Sequence, residues 1–86
     1  MRAEDVFRNV NDRIAEKALE LGMALPGPFL CECSDIRCFA RLELTLDDYG
    51  ELRSHPGRYL TAPGHKVAKA VVIEQTDQLA FAEKLL

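Results

Sequence analysis

Long apolar runs are missing from this chain. No stretch reaches the roughly 18 residues of a membrane-spanning helix, so no association with a membrane is expected. Tryptophan is absent, and Phe and Tyr together make up only 7% of the residues, so the expected core is mostly Leu, Val, Ile and Ala. A basic excess is absent too: 11 Lys and Arg against 14 Asp and Glu leave a formal charge of -3. Phosphate neutralisation needs clustered Lys and Arg, so non-specific binding to nucleic acid or anionic lipid is disfavoured. The opening residues, MRAEDVFRNV, carry acids and polar interruptions in place of a signal peptide's apolar run. A cytoplasmic location is expected. The chain also lacks internal repeats, low-complexity tracts and any Cys-x-x-Cys pair.

What remains is ordinary for a folded protein: 48% apolar and 29% charged residues over 86 positions. That length allows a single domain, 1–86, whose small core would gain from a metal staple. Residues 3–21 read as an amphipathic helix, with Val6, Val10, Ile14, Ala18 and Leu21 as the apolar stripe, joined by Phe7 and Leu19. Arg8, Asn9, Asp12, Arg13, Glu16 and Glu20 supply its polar faces, and Gly22 suits the C′ position. The helix is expected to cover a sheet, with the surface around Phe7, Val10 and Ile14 as a candidate partner site. Pro26, Gly27 and Pro28 make 22–28 a linker.

From there the core is expected over 29–86. Residues 38–44 alternate as a strand, with Ala40, Leu42 and Leu44 on one face and Arg41 and Glu43 on the other. Thr45 followed by Asp48 marks a short second helix with Leu46, Tyr49 and Leu52 inward. Residues 58–61 suit a short strand. Residues 67–74 and 79–85, joined by a turn at 75–78, predict a C-terminal hairpin whose edge is a second candidate partner surface. The fold class is α+β: an N-terminal amphipathic helix, a short central helix and an antiparallel sheet that includes this hairpin.

Chemistry is concentrated in one place. Cys31, Cys33 and Cys38 are the only cysteines and lie within eight residues. An odd number of thiols fits an intramolecular disulfide framework badly, and in a reducing compartment they are more naturally free thiols or ligands than disulfide partners. One intervening residue puts Cys31 and Cys33 on the same face of an extended segment. Ser34 to Arg37 give enough chain to turn back, so that Cys38 can complete three soft donors. The fourth is assigned to His65, held behind Pro63-Gly64, in preference to His55 at the end of the second helix. Such a Cys3His set suits a structural, tetrahedral Zn²⁺. Alternatively, three thiols could line a core beside Phe29, Leu30, Ile36 and Phe39. Against that, Glu32, Ser34, Asp35 and Arg37 give the segment the look of a solvent-facing loop.

Two resemblances bear on the site. The order Cys31-x-Cys33, Cys38, His65 resembles the [2Fe-2S] proteins of the NEET type, which implies an iron-sulfur cluster as the alternative cofactor and a redox role. In those proteins the third cysteine and the histidine are close in sequence, whereas here a helix and a connector separate them. The set Phe29-Leu30-Cys31-Glu32-Cys33-Ser34-Asp35, Cys38, Arg41-Leu42-Glu43-Leu44-Thr45, Tyr49, Pro56, Arg58-Tyr59 and Ala62-Pro63-Gly64-His65 is similar to small actinobacterial proteins and domains. That likeness spans positions 5–84 and implies a discrete domain with metal ligands at Cys31, Cys33, Cys38 and His65. It carries no activity with it.

A closed Cys3His site offers no open position for hydrolysis, and no third group orients a thiol–imidazole pair, so no enzyme is expected. The expected function is a protein-interaction or regulatory module, with an unidentified protein partner or a second copy of the chain as its ligand. The alternative is a nucleic-acid-binding zinc domain using Arg37, Arg41, Arg53, Arg58, Lys66 and Lys69.

Overall fold

A computed structural model of the chain describes residues 2–22 and 27–85. In order, it forms helix α1 (Ala3–Glu20), strands β1 (Gly27–Leu30) and β2 (Arg41–Leu44), helix α2 (Leu46–Arg53), and strands β3 (Arg58–Thr61), β4 (Ala70–Gln75) and β5 (Ala80–Lys84). This is the expected small α+β domain. Its strands form two antiparallel sheets: β1 pairs with β2, and β5 runs between β3 and β4, so the C-terminal hairpin leaves β4 on an edge. Positions 23–26 of the expected linker lie outside the described residues. Among the described residues, no helix is long and apolar enough to cross a membrane.

Local chemistry accounts for most boundaries. Thr45 caps α2, its hydroxyl accepting the Asp48 N–H at 3.1 Å, and Tyr49 and Leu52 turn inward as their spacing requires. Gly22 ends α1 with φ 66° and donates its N–H to the Leu19 carbonyl, the role a C′ glycine fills. Two strands begin three residues later than expected. Residues 38–40 belong to the cysteine loop, and only the Ala40 carbonyl reaches back, accepting the Cys31 N–H at 2.9 Å. The later strand begins at Ala70 because Lys69 turns the chain with φ 61° and the Ala70 N–H closes on the Val67 carbonyl. Val67 itself packs on Tyr59 and Ala82.

The main core joins Phe29, Leu42, Leu44, Tyr49, Leu52 and Leu60 to Cys31 and Cys33. The Phe29 and Tyr49 rings stack with centroids 4.4 Å apart. Aromatics therefore fill more of the interior than composition suggested: Phe7, Phe29, Tyr49 and Tyr59 are buried, whereas Val71, Val72 and Ile73 are exposed.

Helix α1 departs furthest from its reading. Its buried residues are Glu4, Phe7 and Asn11, while Leu19 and Leu21 face solvent. Ile14 and Ala15 only partly join the core. The burial of Phe7 also removes it from the proposed partner surface. The inward stripe includes two polar residues because each meets matched groups. Glu4 accepts from the Ser34 hydroxyl at 2.9 Å and from Lys84 Nζ at 3.2 Å. Burial alone would raise its pKa, but these bonds and its own backbone N–H outweigh that and hold it below the usual carboxylate value. Asn11 accepts the Leu30 N–H at 2.8 Å and donates to the Leu30 carbonyl and to Glu32.

Glu32 is the centre of this polar interior. It is 0% exposed, so its expected place on a solvent-facing loop is wrong. Its carboxylate accepts from Asn11 Nδ2 at 2.6 Å, from Arg53 Nη2 at 2.7 and 2.9 Å, and from the Leu60 N–H at 3.0 Å. One side chain thus ties α1, α2 and β3 together. Burying a carboxylate is tolerable only with such pairing, and removing one partner of a buried pair costs about 3–5 kcal/mol. Glu32→Ala and Arg53→Met should each lose stability of that order in urea unfolding. The double substitution Glu32→Ala/Arg53→Met should lose less than the sum of those two singles, the sign of direct coupling.

Candidate metal centre

Three separate segments deliver the four side chains expected at the site. Cys31 follows β1 directly, and the bond from its N–H to Ala40 extends the β1–β2 ladder by one step. The next residues are tied elsewhere: the Glu32 N–H donates to the Leu60 carbonyl at 2.6 Å and the Ser34 N–H to the Lys66 carbonyl at 2.9 Å. The cysteine stretch therefore lies between the two sheets. Within it, Cys31 and Cys33 point to one side and Glu32 to the other, the alternation of an extended chain.

The return to Cys38 is a compact turn. The Asp35 carboxylate accepts the Arg37 N–H at 2.9 Å, and the Asp35 carbonyl accepts the Cys38 N–H at 2.9 Å. The Ser34 hydroxyl instead acts at long range, accepting the Ala68 N–H at 2.7 Å. His65 comes from a second turn, Ala62-Pro63-Gly64-His65, closed by the bond from the His65 N–H to the Ala62 carbonyl at 3.1 Å. Proline at the second position and glycine with φ 83° at the third are the type II pattern, in which the positive φ favours glycine.

These turns bring Cys31, Cys33, Cys38 and His65 together, with one donor atom from each, all within 4.8 Å of one another. His65 Nδ1 lies 3.5 Å from Cys31 Sγ and 3.4 Å from Cys38 Sγ. With metal–sulfur bonds of about 2.3 Å and metal–nitrogen bonds of about 2.0–2.1 Å, a tetrahedral site has S···N edges of about 3.6 Å. The donor set therefore fits one zinc-type ion. A two-iron cluster would divide its ligands between two metals, and this single tight group of three sulfurs and one nitrogen fits that less well. His55 is exposed beyond α2 and is not in the group.

The surroundings are asymmetric. Cys31 and Cys33 are buried, Cys38 is half-buried, and His65 is exposed. An open cavity bordered by Cys33, Ser34, Asp35, His65 and Lys66 adjoins the site. Burial pushes the Cys31 thiol up to about 12, with the neighbouring Cys33 and Cys38 adding to the rise and the Ala62 N–H, 3.2 Å from its sulfur, opposing it. Burial raises Cys33 as well. Thiols so placed become thiolates readily only beside a cation, which reverses the balance.

The sequence missed what supports these donors. The Glu32 carboxylate, Asn11, Arg53 and the Ala62 N–H orient the segments that carry them. The alternation of Cys31-Glu32-Cys33 was the available signal for Glu32: two inward cysteines on one side force the glutamate toward whatever packs on the other.

No protein-family model, curated protein or solved structure matches this chain.

The raised thiol has a measurable consequence in metal-free, reduced protein. With Cys31 at about 12 against an ordinary 9.0, its thiolate fraction at pH 8 should be about a thousandfold lower, and its alkylation correspondingly slow. The rate should climb about tenfold per pH unit above pH 8, over the range in which circular dichroism reports an intact fold. Peptide mapping after timed iodoacetamide treatment would measure it, and labelling of Cys31 at the rate of an ordinary thiol would refute it.

Proposed function

We propose that this protein is a non-enzymatic interaction or regulatory module whose scaffold is closed by a structural zinc ion on Cys31, Cys33, Cys38 and His65. The observation that carries this reading is the grouping of those four donors within 4.8 Å. Four protein ligands fill a tetrahedral ion and leave no position for water or substrate, unlike catalytic zinc sites with three. Of the two acids beside the cysteines, Glu32 is fully buried and held by Asn11, Arg53 and Leu60, and the Asp35 carboxylate accepts the Arg37 N–H within the turn, so both serve the scaffold. When bound, zinc would supply charge neutralisation for the thiolates and a crosslink between segments 27 and 34 residues apart. A protein partner fits better than nucleic acid given the charge of -3.

One observation favours the nucleic-acid alternative. Phe39 is 79% exposed between Arg37 and Arg41, an arrangement able to stack on an unpaired base. Salt-sensitive binding of single-stranded oligonucleotides that is lost in Phe39→Ala would establish that reading in place of the first.

For the metal, protein purified without oxygen should carry one zinc per chain and no visible absorption. Iron and sulfide with visible bands would replace the zinc reading. His65→Ala should lose zinc affinity by more than the ~10–100-fold typical of an outer-sphere partner, and its unfolding midpoint should fall with it. His55→Ala should match the parent in both. Equal zinc affinity in the two variants would remove His65 from the ligand set.

A further inference from the structure

Strand β4 is the outer edge of the three-stranded sheet, since β5 separates it from β3. Among the described residues, its other edge meets no strand. Edge strands invite pairing with another chain, and proteins usually blunt them with lysine, proline, shortness or an inward charge. Over Ala70–Gln75 the only charged residue is Glu74, and there is no proline. Val71, Val72 and Ile73 are 46%, 53% and 41% exposed, so neighbouring residues show apolar groups on both faces of the strand. The single blunting device is a bulge, seen as a register shift between Val72 and Glu74 against β5. It bends the strand without covering those side chains.

The charges at its two ends indicate what fits. Lys66 and Lys69 precede the apolar segment, while Glu74 and Asp77 follow it, all exposed. None of the four takes part in an ion pair among the described residues. A strand that is basic at its start, apolar in its middle and acidic at its end is its own complement when run antiparallel. A two-fold axis near Val72 places each basic end beside the partner's acidic end and the apolar segments together. Closed two-fold association is the commonest form of self-assembly.

We infer that β4 is a self-association edge, pairing antiparallel with β4 of a second copy to join two three-stranded sheets into one of six. This rests on the reading of the domain as an interaction module and names its partner as the chain itself. The bulge limits the backbone ladder to short stretches on either side of Ile73, so the apolar side chains and the end charges fix the alignment.

Sedimentation equilibrium of the zinc-loaded full chain, from micromolar to millimolar, tests it. The expected result is a reversible monomer–dimer equilibrium weakened at least about tenfold by Val72→Lys. Lys69→Glu and Glu74→Lys should each weaken it by about two- to fivefold, less so at high salt, and the double charge exchange should recover it. These side chains are exposed, so circular dichroism should be unchanged. A monomer throughout, a dimer indifferent to Val72→Lys, or failure of the double exchange to recover association would each overturn the inference. Zinc content measured on the same samples separates the two readings: a monomer with one zinc per chain removes the dimer and leaves the structural metal site standing.

Discussion

The Glu32 carboxylate is the constraint on which the rest of this structure depends. It lies between Cys31 and Cys33 in an extended segment, so its side chain must leave on the side opposite the two sulfurs. There it is fully buried and meets Asn11 of α1, Arg53 of α2 and the backbone of β3. An unpaired carboxylate in that place would be prohibitive. The helices must consequently sit where their donors reach it, which fixes their positions more tightly than apolar packing alone would. Arg53 extends the arrangement, lying 4.8 Å from the centre of the Tyr49 ring, which itself stacks on Phe29.

On the sulfur side, the same tripeptide serves a different purpose. Its donors are completed by Cys38, turned back by the Asp35 bonds, and by His65, presented by the Pro63-Gly64 turn after β3. The group stands where the β1–β2 sheet and the β3–β5–β4 sheet approach one another. Small domains have few apolar contacts to hold such a junction. Backbone bonds from Glu32 to Leu60 and from Ser34 to Lys66 already span it, and a metal crosslink would reinforce them.

The site was more legible in the sequence than the surface of α1, and the reason is chemical. Thiols clustered at short spacing with a histidine behind Pro-Gly announce a donor group through residue type, and the four donors do come together. The turn residues Asp35 and Gly64 likewise act locally, as does the Thr45 cap. The α1 reading failed because hydropathy assigns Glu4 and Asn11 to water, whereas each finds matching donors and acceptors brought from distant segments: Ser34 and Lys84 for Glu4, Leu30 and Glu32 for Asn11. A spacing of three and four does run through Glu4, Phe7, Asn11 and Ile14, but only the three-dimensional partners make it the inward stripe. The start of β4 was hidden for a similar reason: the apolar pattern from Val67 continues through a turn set by Lys69, whose positive φ hydropathy does not encode.

Placing thiol donors and a buried carboxylate on opposite sides of three consecutive residues has a thermodynamic consequence. The backbone of Cys31-Glu32-Cys33 cannot shift toward one set of partners without moving away from the other. A metal that draws Cys31 and Cys33 together therefore also holds Glu32 against Arg53, Asn11 and Leu60. By reciprocity, the same polar contacts preorganise the two sulfurs for the ion. Ion pairing and metal ligation are often treated as separate contributions to the stability of a small domain. Here the grouped donors and the polar interior share one strand of backbone, so a metal bound at the first would act on the second.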